Sequence, residues 1–226
     1  QTSSHHEQEL GKPVNTPNVQ ATGSQPVLKV RDLSVDFGVD RQWVPAAIGL
    51  DYEVHAGEVL AIVGESGSGK SVSSMGTIGL LPKNARVTGS VQLNGRELVG
   101  LSNTDLLSVR GEEVAVIFQE PMTAMNPVMT VGDQIVETLR LHKDIAPAQA
   151  KEEAIKMLEM VEMPDPIKAF NSYPHQMSGG QRQRAMIAQS LSTNPKLLIA
   201  DEPTTALDVT VQAEILQLMR NLQKKL

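Results

Sequence analysis

Cysteine is absent from the 226 residues, so no disulfide, thiolate metal centre or iron–sulfur cluster can form within them. An excess of basic residues is missing as well. Lys and Arg number 20 against 26 Asp and Glu, giving a net charge of −6 and a pI near 5.4. The basic residues are scattered rather than gathered on one stripe, which argues against nucleic acid as the main partner and against direct binding to anionic lipid. No segment approaches the ~20 consecutive apolar residues that span a bilayer, and the first residues lack the apolar core of a signal peptide. The expectation is a soluble chain working in the cytoplasm. What is there in quantity is apolar side chain, at 40% of the residues, enough for one large domain or a core with a smaller subdomain.

Residues 1–26 are polar, carry Pro13, Pro17 and Pro26, and show no apolar periodicity. They bury too little surface to offset the entropy of ordering and read as a disordered arm, with His5 and His6 as solvated tail residues rather than metal ligands. Short strands are predicted over Val27–Val30, Ser34–Phe37, about Ile48–Val54, Val59–Val63, Val87–Leu93 and Glu113–Phe118. Asn94-Gly95 marks a tight turn. Between about Met129 and Met177 the period becomes helical. Val131, Ile135 and Leu139 recur every fourth residue, and Ala154, Leu158 and Val161 share a face. A helix over about 181–191, a strand at Leu197–Ala200 and a last helix with Val211, Ile215, Leu218 and Leu222 on one side complete an α/β pattern with a mainly parallel core sheet. That last helix stops in mid-pattern with neither Gly nor Pro, so further polypeptide is expected after it.

The chemistry is concentrated in three places. Gly64-Glu65-Ser66-Gly67-Ser68-Gly69-Lys70-Ser71 follows the apolar run Val59–Val63 and fits a phosphate-cradling pattern. Glycines there turn successive backbone N–H groups toward phosphate oxygens, Lys70 reaches the β- and γ-phosphates, and the Ser71 hydroxyl can ligate Mg²⁺ at a helix start that favours anions. A second apolar strand ends in Asp201-Glu202, where Asp201 is suited to hold Mg²⁺ and Glu202 to polarise an attacking water. Finally, Ser178-Gly179-Gly180-Gln181 precedes a helix carrying Arg182 and Arg184. Ser178 suits an N-cap, and the glycines expose N–H groups at a second anion-favouring helix end.

Together these segments resemble the ATP-binding-cassette ATPases. Gly64–Ser71 matches Walker A, Gln119 after Val116-Ile117-Phe118 the glutamine loop, and Met177–Gln181 the signature, with Met in place of the usual Leu. Leu197–Asp201 with Glu202 matches Walker B and the catalytic glutamate, and Ala206-Leu207-Asp208 the D-loop. Phe118-Gln119-Glu120-Pro121-Met122, Asn126-Pro127, Tyr173-Pro174-His175-Gln176 and the run Ala200–Thr210 look like the peptide/nickel group of importers, closest to its dipeptide and oligopeptide members. The resemblance implies a P-loop fold with an antiparallel β subdomain and a helical subdomain at about 129–190. It also implies ATP and Mg²⁺ as ligands, with Glu202, Gln119 and Lys70 catalytic and Ser71, Gln119 and Asp201 at the metal.

Nucleotide contacts are implied for Gly64 to Ser71, for Phe37 or, less well aligned, Trp43 stacked on adenine, for Ser178 to Gln181, and for Asp208. Partners implied are a second cassette (a copy, a paralogue or a tandem half), membrane permease subunits and, indirectly, an extracytoplasmic binding protein, with the chain peripheral on the cytoplasmic face of the membrane. A cassette ATPase without a membrane partner, or a nucleotide-sensing module, is the competing reading. The resemblance also implies a switch histidine on a strand after Walker B. No His follows His175, so this stretch alone is expected to hydrolyse ATP poorly.

Overall fold

In the computed structural model, residues 25–119, 124–205 and 207–225 are described. The polar arm expected over 1–26 lies outside them save for its last two residues, as do Glu120, Pro121, Met122 and Ala206. Four strands form an antiparallel sheet in the order β2-β1-β3-β4, from β1 (Leu28–Val39), β2 (Gln42–Val54), β3 (Ala85–Leu93) and β4 (Arg96–Glu97). The two short strands expected at 27–30 and 34–37 are one bent strand. Its alternation holds for Leu28 and Val30, breaks at Asp32 (φ 46), and resumes in the other phase at Leu33 and Val35. A left-handed residue inserted into a strand shifts the ladder by one and turns the apolar set back to the core. Opposite this kink, only glycine fits: a Cβ on Gly89 (φ 99) would lie 2.3 Å from the Asp32 carbonyl oxygen. Both hairpin turns, Asp40-Arg41 and the anticipated Asn94-Gly95, have positive φ at both central residues, the twist that suits two-residue hairpins.

A second sheet pairs β5 (Val114–Ile117) in parallel with β6 (Leu197–Ala200). The Asp201 N–H extends the ladder to the Ile117 carbonyl at 2.9 Å. In the chain, α1 (Lys70–Thr77) lies between β2 and β3, and α2 (Asn103–Glu112) between β4 and β5. The helical lobe of α3 (Val131–His142), α4 (Pro147–Met160) and α5 (Pro166–Phe170), and then α6 (Gly179–Leu191), lie between β5 and β6, and α7 (Val209–Lys225) follows β6. The predicted apolar faces are the buried ones: Val131, Ile135, Leu139, Ala154, Leu158 and Val161 are all at most 1% exposed. They form one core with α6, α7 and Ile117, while Leu28, Val30, Leu33, Val91 and Leu93 form another with α2 and the start of β5. Arg184 on α6 braces the lobe, donating to the Val161 carbonyl at 2.7 Å and pairing with Glu162 and with Glu214 on α7.

One expectation fails. Val59–Val63 is not a buried strand but irregular chain without a ladder, with Val59 70% and Val63 87% exposed. An apolar run becomes a strand only where a neighbour takes its N–H and C=O groups, and among the described residues none does. No helix of the described residues is long and apolar enough to cross a membrane.

Candidate functional site

The loop from Gly64 to Gly69 ends at the start of α1, with Gly69 as its N-cap at φ 86. A Cβ at Gly69 would lie 2.3 Å from the Ala46 carbonyl oxygen, so the loop passes β2 as closely as backbone allows. A Cβ at Gly64 would fall 2.6 Å from Ser68 Oγ, and the Ser68 N–H closes a turn on the Glu65 carbonyl at 3.2 Å. Ser66 and Gly67 form the exposed tip. The Lys70 ammonium curls back over the loop, donating to the Gly64 and Glu65 carbonyls at 2.9 and 2.8 Å.

The acidic end of β6 meets this loop at the start of α1. Ser71 Oγ donates to Asp201 Oδ1 at 2.7 Å across 130 residues of chain. Lys70 Nζ stands 3.7 Å from Glu202 Oε1, and Gln119, just beyond β5, donates from Nε2 to Glu202 Oε2 at 3.2 Å. Thr205, unremarked by pattern reading, donates from Oγ1 to the same oxygen at 3.1 Å. The Lys70, Ser71, Gln119, Asp201 and Glu202 expected to act together are thus gathered in one place.

The donor set fits Mg²⁺, a hard cation that takes one or two carboxylates with water and substrate oxygens. Neighbouring ligands of an octahedral ion at ~2.0–2.1 Å stand about 2.9 Å apart, close to the observed Ser71–Asp201 separation. Gln119, whose amide reaches the neighbouring Glu202, carries a neutral oxygen of the same hard type. A polyphosphate also fits, since the glycine loop leads into the start of α1, where anions are favoured, and the Lys70 ammonium stands over that loop.

The other expected residues lie elsewhere. Ser178 caps α6: its Oγ accepts from the Gln181 N–H at 3.2 Å while Gln181 Oε1 accepts from the Ser178 N–H at 3.1 Å. Gly179 and Gly180 face Leu207 and Val211, where added Cβ atoms would sit 3.2 and 2.9 Å away. Among the described residues no hydrogen bond or ion pair joins this turn to the Lys70 loop. Asp208 accepts from the Val211 N–H at 3.1 Å at the start of α7.

Phe37 is half-buried on β1 between Val44 and Ala85, whereas one face of Trp43 is covered by the Arg86 guanidinium at 4.6 Å. His175 stacks on Tyr173. Pattern reading also missed Arg110 on α2, which donates to the Ile78 and Gly79 carbonyls at 3.0 and 2.9 Å and so caps the far end of α1. A cleft of about 220 Å³ lined by Gly111, Phe118, Thr138, His142 and Gln189 contains none of the phosphate-loop residues.

Two carboxyl or phenol groups are perturbed away from the site. Burial alone would raise Glu97, but donation from Ser90 and from the Val91 and Val99 N–H groups outweighs it and holds the carboxyl below its usual range. Burial pushes Tyr52 up to about 12.

A glycine loop opening a helix, facing the acidic end of a parallel strand, defines a P-loop nucleotide-binding domain. The chain belongs to the ABC transporter family, whose model matches residues 48–205. It is 50% identical over 199 residues to the oligopeptide transport ATP-binding protein OppD of Escherichia coli, covering 88% of this chain and 59% of that protein. OppD of Bacillus subtilis is 50% identical over 202 residues, at 88% and 56% coverage. The chain therefore spans under two thirds of the length of the curated relatives it matches. Among solved structures it resembles the dimeric ATP-binding cassette MJ0796 in a post-hydrolysis state bound to ADP and Pi (TM-score 0.76, 26% identity, 88% of this chain and 83% of that one). It also resembles cbiO1 from Clostridium perfringens, part of the transporter complex cbiONQ (TM-score 0.75, 25% identity, 90% and 76%).

Proposed function

We propose that the chain is the ATP-binding and ATP-hydrolysing part of the motor subunit of an importer that takes up peptides of the dipeptide and oligopeptide class. The observation that carries the ATPase reading is the junction of Ser71 with Asp201, with Lys70 facing Glu202. The peptide class is supported by the names of the relatives. Residues 27–226 are assigned to the cassette, with the helical subdomain at about 129–190.

In this reading Gly64 to Ser71 hold the triphosphate, and Lys70 exchanges its two loop carbonyls and Glu202 for phosphate oxygens. Ser71, Gln119 and Asp201 hold Mg²⁺, which when bound neutralises developing charge on the phosphates. Glu202 orients and deprotonates the attacking water, and Phe37 stacks on the base. Ser178 to Gln181 and Asp208 act on a nucleotide held by a second cassette, since within one chain they are not joined to the loop. That pairing is in keeping with the dimeric neighbour. Permease subunits, fed by an extracytoplasmic binding protein, place the chain peripherally on the cytoplasmic face of the membrane.

The test uses the full-length protein reconstituted with its permease in vesicles. Wild type should couple ATP hydrolysis to peptide uptake, and Glu202→Gln should retain ATP while losing turnover. Undiminished turnover in that variant refutes the site. ATP-driven uptake of a metal complex in place of peptides refutes the substrate class.

A further inference from the structure

We propose that Thr205 is a positioning residue that aims the Glu202 carboxylate, an inference that rests on Glu202 being the base proposed above. Glu202 is at φ 44, in the left-handed region, and directly precedes Pro203. A residue before proline is driven toward extended backbone, and a side chain with a Cβ rarely adopts positive φ. Something must hold Glu202 there, and the turn that follows supplies it. The Thr205 N–H donates to the Glu202 carbonyl at 3.2 Å, and the Thr205 hydroxyl donates to Glu202 Oε2 at 3.1 Å. One residue thus fixes both the backbone and the side chain of the glutamate.

The consequence lies in which oxygen is held. Oε2 receives two donors, Thr205 Oγ1 and Gln119 Nε2. Oε1 receives no hydrogen bond among the described residues and faces the Lys70 ammonium at 3.7 Å. A carboxylate anchored through one oxygen presents the other in a single direction, toward the phosphate end of the loop, as a general base requires. Gln119 comes from the end of a different strand, so Thr205 is the donor that moves with Glu202. Thr205 is exposed, and its hydroxyl has no other partner among the described residues.

The experiment compares Thr205→Val, Thr205→Ser and Glu202→Gln in the full-length protein assembled with its partners. It reads kcat, KM for ATP, binding of a fluorescent ATP analogue, and thermal melting. Thr205→Val should lower kcat about tenfold, equivalent to one modest transition-state hydrogen bond, with KM, analogue affinity and melting unchanged. Thr205→Ser, which keeps the hydroxyl, should restore kcat. Wild-type turnover in Thr205→Val beside an inactive Glu202→Gln overturns the role of Thr205 and leaves the Glu202 reading intact. Turnover in Glu202→Gln overturns both. A loss shared by the Ser variant, or one that appears in melting or affinity, assigns Thr205 to the fold and also refutes the proposal.

Discussion

Replacing Gly69 by alanine separates the two reasons a glycine is needed at the start of α1. The first is conformational: φ is 86, and an L residue in the left-handed region costs ~1–2 kcal/mol. The second is contact: the new methyl would stand 2.3 Å from the Ala46 carbonyl oxygen, where real Cβ contacts stay beyond 3.0 Å. Backbone on one side or the other has to give by more than half an ångström, and overpacking of this kind costs about 1–3 kcal/mol. Gly67 supplies the control, since it has φ 81 but nothing within 4 Å of an added Cβ. Gly67→Ala should therefore lose only ~1–2 kcal/mol in urea unfolding, and Gly69→Ala a further ~1–3 kcal/mol. Because any movement of the first turn of α1 shifts Lys70 and Ser71 against Glu202 and Asp201, Gly69→Ala should also weaken ATP-analogue binding more than Gly67→Ala, by roughly tenfold for each 1.4 kcal/mol of misplacement. Equal unfolding free energies for the two variants would refute the claimed approach of the loop to β2.

Arg110→Ala strands the Ile78 and Gly79 carbonyls at the end of α1 and should cost roughly 1–3 kcal/mol in urea unfolding. Arg110→Lys should recover less than half of it, because an ammonium lacks the fork that reaches both oxygens; full recovery by Lys contradicts that geometry. Glu97 is held below its usual range in the folded chain, so its stabilising charge is fully present above the unfolded value of about 4.3 and is lost as pH falls through the lower folded value. Glu97→Gln should thus melt lower than wild type at pH 7, by about 1 kcal/mol, with the gap closing in acid; a gap that is constant or widens as pH falls contradicts this sign.

Elements with a strong local pattern are legible in the sequence itself. The Asn94-Gly95 turn, the buried faces at Val131–Leu139 and Ala154–Val161, and the strand ending at Asp201 all follow from short-range chemistry. Val59–Val63 was misread because an apolar run says that a segment wants cover, not that a neighbouring strand stands beside it. The motifs named the reacting groups, and the resemblance grouped them, but the individual atom contacts came from the fold. Ser71 meets Asp201 and Gln119 meets Glu202 across 130 and 83 residues; the pairing of β5 with β6 closes the second, and the first is closed by the approach of α1 to the end of β6. The partners of Arg110 and Arg184 could not be read from the sequence because their acceptors are carbonyls placed by the tertiary fold, and the Thr205 contact depends on the turn that Glu202 makes at positive φ. Phe37 and Trp43 differ in availability only once Arg86 is seen over the indole.

The Ser-Gly-Gly turn is a seam as well as a helix start. With Leu207 and Val211 filling the space where Gly179 and Gly180 would have side chains, a methyl at Gly180 would wedge α6 away from α7 before it touched any nucleotide. Inactive variants at that glycine therefore report a jammed joint and a lost phosphate grip indistinguishably, whereas altering Ser178, whose hydroxyl is tied among the described residues to Gln181 alone, probes the grip without prying the helices apart.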